Sequence, residues 1–125
     1  MWKGFIGFYG TPDLKQTHEF YAQILGLPLA LDQGTCRLYA VPGGGYLGFC
    51  EHLTVCHTHK SPLITLITNE VDVVYERLCQ AGVMPEVKPQ TNDRFNLYHF
   101  FVRDPAGYTV EIQQFLDDNW DASKQ

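Results

Sequence analysis

Apolar and polar positions along the chain run through the same order twice. Phe5–Tyr9 is short and rich in aromatics, as a strand would be. From Leu14 the apolar residues move to helical spacing, with Leu14, Thr17, Tyr21, Ile24 and Leu25 on one face. Thr11 can cap this helix, Pro12 suits its first position and Asp13 its positive end. Gly26 closes it and Pro28 keeps it from resuming. Three strand-like runs follow, Leu29–Leu31, Cys36–Val41 and Tyr46–Cys50. Asp32-Gln33-Gly34 and Pro42-Gly43-Gly44-Gly45 part them. Glu51–Ser61 is polar and reads as a linker carrying three histidines.

The order then restarts. Leu63–Thr68 predicts a strand. Asn69, with Asp72 three residues on, predicts the start of a second helix whose buried stripe is Val71, Val74 and Leu78. Gly82 closes it. Met84–Lys88 predicts a weaker strand, interrupted by Pro85, and Pro89–Arg94 a polar loop. The chain ends in a hairpin of Tyr98–Arg103 and Tyr108–Phe115 around Asp104-Pro105-Ala106-Gly107. Asp opens such a turn, Pro presets φ and Gly frees the last position. The plan is strand, helix, three strands, twice over. Module one covers about residues 1–51, a linker about 52–61 and module two about 62–116, with a short acidic tail of Asp117, Asp118 and Asp121 beyond.

Composition narrows the function classes. A chain of 125 residues fits one domain, and 45% apolar residues with eight Phe and seven Tyr allow a packed core. A net charge of −5 with scattered Lys and Arg supplies no basic patch for nucleic acid. No apolar run approaches a membrane span, and Met1 leads straight into strand-like sequence. A cytoplasmic protein is the expectation. Cys36, Cys50, Cys56 and Cys79 are then expected as free thiols. The tri-glycine after Pro42 lacks the Lys-Ser/Thr of a phosphate loop and reads as a turn.

Glu111 stands out among the candidates for chemistry. It lies between Val110 and Ile112 in a strong strand, so its side chain faces opposite theirs. A carboxylate there costs free energy on a dry face, unless it has a proton to move or a ligand to hold. The alternative is a structural hydrogen bond. Arg37 and Tyr39 share one face of the third strand, where Arg37 grips an anionic group if that face lines a cavity and is merely solvated if it does not. Cys56-His57-Thr58-His59, with Cys50 and His52 upstream, has ligand-type residues in no usual zinc spacing.

Three segments in order carry a family likeness. Asp13-Leu14, Phe20-Tyr21 and Leu25-Gly26-Leu27 come first. Val71-Asp72, Tyr75-Glu76-Arg77-Leu78 and Ala81-Gly82 follow, and Arg103-Asp104-Pro105-Ala106-Gly107-Tyr108 with Glu111 closes. Together they resemble the vicinal oxygen chelate superfamily of glyoxalases, extradiol dioxygenases, fosfomycin-resistance transferases and bleomycin-binding proteins. The resemblance implies an α+β fold of two βαβββ modules forming a curled eight-stranded half-barrel with a central cavity. It also implies a small-molecule ligand, frequent homodimers and, in many members, one divalent ion held by His and Glu from both modules. Glu111 matches the last family ligand. Ile6 and Leu63 fall at two others, where neighbouring Ile64 and Thr65 are no better ligands; Cys50 or Glu51 falls near the optional fourth. One carboxylate alone is a poor metal site, so no cofactor is expected, with Zn, Ni, Mn or Fe as the alternative the family offers. By the same resemblance His99, Phe101 and Arg103 face the cavity one strand from Glu111. His99 and Glu111 are then the expected catalytic pair, with Arg37, Tyr39, Phe49, Phe101 and Arg103 as ligand contacts. The expected function is that of a glyoxalase- or dioxygenase-like small-molecule enzyme without the usual metal centre. The alternative is a non-catalytic binding protein of the bleomycin-resistance type.

Overall fold

The computed structural model of the chain describes residues 1–118 and 120. It holds two compact units. The first takes Met1–His59 with the turn Asp104–Gly107; the second takes Lys60–Arg103 and the chain from Tyr108 on. Each is a βαβββ module built on a four-stranded sheet, so the chain is α+β.

In the first module β1 (Ile6–Gly10) is followed by α1 (Leu14–His18), which continues as a π-helical stretch, Glu19–Ile24. The strands β2 (Leu29–Asp32), β3 (Cys36–Ala40) and β4 (Tyr46–Cys50) complete it, in the spatial order β1-β4-β3-β2. β1 runs parallel to β4 because a helix crosses between them, while β3 and β4 are joined by a turn and run antiparallel. The helix cap is Asp13 rather than Thr11: its Oδ1 accepts from the Lys15 and Gln16 amides. Thr11 is instead buried against the Thr17 hydroxyl at 2.7 Å. A side chain that bonds inward is lost as a cap, and Asp13 at the exposed helix start takes over.

The second module repeats the plan with β5 (Leu63–Ile67), α2 (Val71–Gln80), β6 (Gln90–Asn92), β7 (Leu97–Arg103) and β8 (Thr109–Phe115), ordered β5-β8-β7-β6. Two expectations are corrected here. Asn69 does not cap α2; Glu70 holds the cap position, and its amide donates to the Thr68 hydroxyl at 3.0 Å. Met84–Lys88 is not a strand. β6 forms later, at Gln90–Asn92, where the expected loop lay. Pro85 and Pro89 lack the amide hydrogen a ladder needs, so pairing begins only past the second proline.

Strand alternation divides each sheet into a face under its helix and a face away from it. In the second module Ile64, Val110, Ile112, Phe100 and Val102 are buried on the helix side, where Tyr75 of α2 meets Phe100 edge-on at 5.3 Å. In the first module the helix side holds Tyr9, Tyr39 and Phe49. Tyr21 of the helix stacks on Phe49 at 4.5 Å. Turn chemistry fixes the final hairpin. Gly107 adopts φ 94°, its amide donates to the Asp104 carbonyl at 2.9 Å, and Asp104 Oδ1 accepts from Ala106 N at 3.0 Å. Asp117 and Asp118 are exposed; Asp121 lies outside the described residues.

Candidate functional site

On the face of the second sheet away from α2, β5, β8 and β7 bring a polar group together among apolar neighbours. Thr65 pairs with Glu111 across β5 and β8, and Phe101 pairs with Glu111 across β7 and β8. His99 lies on the same face, diagonal to Glu111 and opposite Gln113. Strand parity puts these side chains on one face, and the register of β5, β8 and β7 brings them together.

Glu111 is 7% exposed and saturated with donors. The Thr65 hydroxyl donates to Oε1 at 2.9 Å. His99 Nδ1 lies 2.6 Å from Oε2. Turned with its nitrogen toward the carboxylate, the Gln113 amide donates to Oε2 at 2.9 Å and to Oε1 at 3.2 Å. An ionised carboxylate only accepts, so His99 must carry its proton on Nδ1. In the neutral ring Nε2 is then a lone-pair acceptor. The His99 side chain keeps 14% of its exposure. Phe101 meets His99 edge-on at 5.0 Å, and Lys60 Nζ lies 3.9 Å from the centre of the Phe101 ring. A cation therefore stands beside the pair.

By strand parity Arg103 shares this face, while the candidates of the first module fall elsewhere. Arg103 is exposed at the end of β7, opposite Thr109. Tyr39 and Phe49 are 0% exposed on the helix side of the first sheet, where the Tyr39 hydroxyl meets His18 Nδ1 at 2.8 Å. Burial pushes the Tyr39 phenol above its ordinary value, against a hydrogen bond from Arg37 that lowers it. Arg37 shares that face and stands 3.6 Å from Asp32, a neighbour on β2. Those two rings are spent on packing. The face away from the helix belongs to the other parity, with Cys36, Leu38 and Cys50. Cys36 and Cys50 are directly opposed and joined by a disulfide, which corrects the expectation of four free thiols. Sequence spacing gives no hint of it, because the register that opposes them is set by the β3–β4 turn. Cys56 and Cys79 are free. His57 Nε2 lies 3.1 Å from the Ala106 carbonyl oxygen beside the hairpin turn.

Thr65, Gln113 and Lys60 were not singled out by sequence. Thr65 and Gln113 carry a usable signal, since each is a polar residue of the Glu111 parity within an apolar strand. Lys60 carries none.

A divalent ion of the kind many family members hold does not fit around Glu111. Its oxygens face a hydroxyl, an amide and an imidazole N–H, all donors. An ion bound to both His99 Nδ1 and Glu111 would force the two ligand atoms well apart, since each metal–ligand distance is about 2.0–2.2 Å. Glu51, one suggested co-ligand, accepts from the Leu14 amide at the start of α1 at 3.3 Å. Among the described residues, the group of three or more ligand-type side chains with converging atoms is Cys36, Cys50 and His52 in the first module.

Paired βαβββ modules, each with a helix-crossed parallel strand pair, define a fold class, and known proteins agree with it. The chain belongs to the Glyoxalase/Bleomycin resistance protein/Dioxygenase superfamily, whose profile matches residues 7–112. Its fold is that of a glyoxalase/bleomycin resistance protein/dioxygenase from Nocardioides, at 20% identity over 94% of this chain and 86% of that one, with a TM-score of 0.74. TioX from Micromonospora is similar at 18% identity over 91% and 99%, with a TM-score of 0.73. A lactoylglutathione lyase from Agrobacterium tumefaciens is similar at 19% identity over 94% and 95%, with a TM-score of 0.71. No curated protein matches significantly. No helix among the described residues is long and apolar enough to cross a membrane.

Proposed function

We propose that this protein is a small-molecule enzyme of the glyoxalase/dioxygenase group that moves a proton without the metal centre at Glu111. The observation that carries this is the 2.6 Å contact between His99 Nδ1 and Glu111 Oε2. Glu111 fixes the ring's tautomer and orientation, and Nε2 is the general base. A suitable substrate has a C–H made acidic by a neighbouring carbonyl. His99 Nε2 takes that proton, the C–H electron pair moves into the enolate, and the imidazolium returns the proton at the same or the adjacent carbon. Glu111 stabilises the imidazolium while it lasts, and the reaction is balanced with no other reactant. Lys60 is placed to attract an anionic substrate, because it lies over Phe101 beside His99. Exposed apolar side chains on the first strand, Ile6 and Phe8, support the homodimer that the family often forms.

A non-catalytic binding protein is the second reading, favoured by the completeness of the hydrogen bonding around Glu111. Deuterium exchange separates the two. A panel of 2-oxo and 2-hydroxycarbonyl acids is incubated with the protein in deuterated water, and C–H loss next to the carbonyl is followed by NMR. The enzyme reading expects catalysed exchange for at least one compound, reduced about 10²–10⁴-fold in His99→Ala. Glu111→Gln should lower it too, with a changed His99 nitrogen spectrum. A compound that binds near His99 without exchange in the wild type would overturn catalysis in favour of binding.

A further inference from the structure

The Cys36–Cys50 pair and His52 bring three soft or borderline ligand atoms together in the first module. Both sulfurs and one His52 ring nitrogen lie within 4.8 Å of one another. His52 Nδ1 is 3.7 Å from Cys36 Sγ. The cysteines are 7% and 1% exposed, and His52 is exposed. The backbone beneath them is held on several sides. The Cys50 carbonyl accepts from the Thr11 amide at 3.1 Å and the Leu53 amide at 3.4 Å; the Cys36 carbonyl accepts from Gln33 N at 2.8 Å. The Glu51 amide, between Cys50 and His52, donates to the Thr35 carbonyl at 2.9 Å. Three side chains are thus presented from β3, β4 and the turn after it, with His52 on the solvent side.

We infer that Cys36, Cys50 and His52 form a redox-gated site for a thiophilic divalent ion such as Zn²⁺, closed while the disulfide stands and opened by its reduction. The step balances. A phosphine supplies two electrons and becomes its oxide by taking the oxygen of one water, the Sγ–Sγ bond breaks, and each sulfur takes one of that water's protons. Zinc then displaces both thiol protons and binds two thiolates and the imidazole, with water as fourth ligand. Thiolates select zinc over magnesium or calcium, and a sulfur pair with one imidazole is a usual donor set for it. The oxidised pair has no thiolate and offers the ion only His52. The site does not depend on the chemistry of His99.

The test uses the full chain, first as isolated in oxidised form and then reduced with a phosphine that does not itself supply thiolate. Co²⁺ is the spectroscopic probe and Zn²⁺ the competitor. Expected is an intense thiolate-to-cobalt charge-transfer band at one ion per chain, present only after reduction and erased by one equivalent of Zn²⁺. Reoxidation should release the ion and restore the first spectrum. His52→Ala, on an exposed turn, should weaken Zn²⁺ binding about tenfold or more. Cys36→Ser should remove the band. A reduced wild type without a thiolate band overturns the site, and this arm needs no variant to fold. So does a band that survives in Cys36→Ser, which would assign it to Cys56 or Cys79. Equal Zn²⁺ affinity in oxidised and reduced protein overturns the gating.

Discussion

Glu111 accepts from Thr65, His99 and Gln113 at once while nearly excluded from water. Removing the acceptor leaves three donors without their partner, and an unsatisfied buried polar group costs about 1–3 kcal/mol. Glu111→Ala should therefore lower stability toward the upper end of that range in urea unfolding, and Thr65→Val toward the lower end. A negligible loss in Glu111→Ala would mean water replaces the carboxylate freely. Tyr39 carries a pH prediction. Burial raises its phenol above the ordinary value of 10.0, so the folded chain holds the proton longer than the unfolded chain. The associated stability is complete below about pH 10 and is lost as pH rises through the folded value. Alkaline unfolding of Tyr39→Phe should therefore show less loss of stability above pH 10 than wild type. Parity explains what was legible at this scale. His99, Phe101 and Arg103 were placed one strand from Glu111 by the family resemblance, and alternation along β7 gives the three a common parity. Arg37 and Tyr39 were placed by alternation on a shared face, but only the packing of the helix, with His18 on Tyr39 and Tyr21 on Phe49, decides that this face lies under it.

At the scale of elements, the β1–β4 pair shows where backbone closeness rules. A Cβ on Gly10 would fall inside the van der Waals contact of the Leu53 carbonyl and the Thr54 backbone. Backbone cannot step aside as a side chain can, so Gly10→Ala should destabilise by about 1–3 kcal/mol or more. Gly34→Ala is the control, since open space surrounds its Cβ position and only its φ of 85° opposes the change. Thermal melts of the two variants give the comparison; a Gly10→Ala protein as stable as Gly34→Ala would contradict it. Helix ends and hairpin turn were readable because Gly26, Gly82 and Gly107 sit where left-handed backbone is needed, with φ of 79°, 84° and 94°. The wide stretch Glu19–Ile24 was not readable. Its apolar stripe spans too few turns to separate one helical period from another. β6 was displaced for a local reason too, two prolines whose missing amides outweigh the apolar pattern of Met84–Lys88.

For the whole molecule, the disulfide closes a loop with a sequence separation of 14 within the first unit. A crosslink over a loop of that length limits the unfolded chain by about 3 kcal/mol. Reduction should lower the melting temperature of the wild type, and Cys36→Ser should melt like the reduced wild type whether or not reductant is present. An unchanged melting temperature on reduction would show that the pair does not constrain unfolding. The second unit, which holds His99 and Glu111 and no disulfide, should keep its local hydrogen-exchange protection through this change.

The sequence by itself determined the repeated order of strand and helix, the points where helices stop, the parity of each strand and the membership of the glyoxalase group. The membership follows from the likeness of three motif segments to the family; the rest follows from hydrophobic period, glycine and proline geometry, and short-range spacing, all of which act between near neighbours. Tertiary structure decided what lies across from what. It set Cys36 against Cys50, gave Glu111 its three donors, brought Lys60 over Phe101 and buried Tyr39 and Phe49 beneath a helix. Those outcomes depend on register and on which face a helix covers, and both are fixed by contacts between residues far apart in the chain.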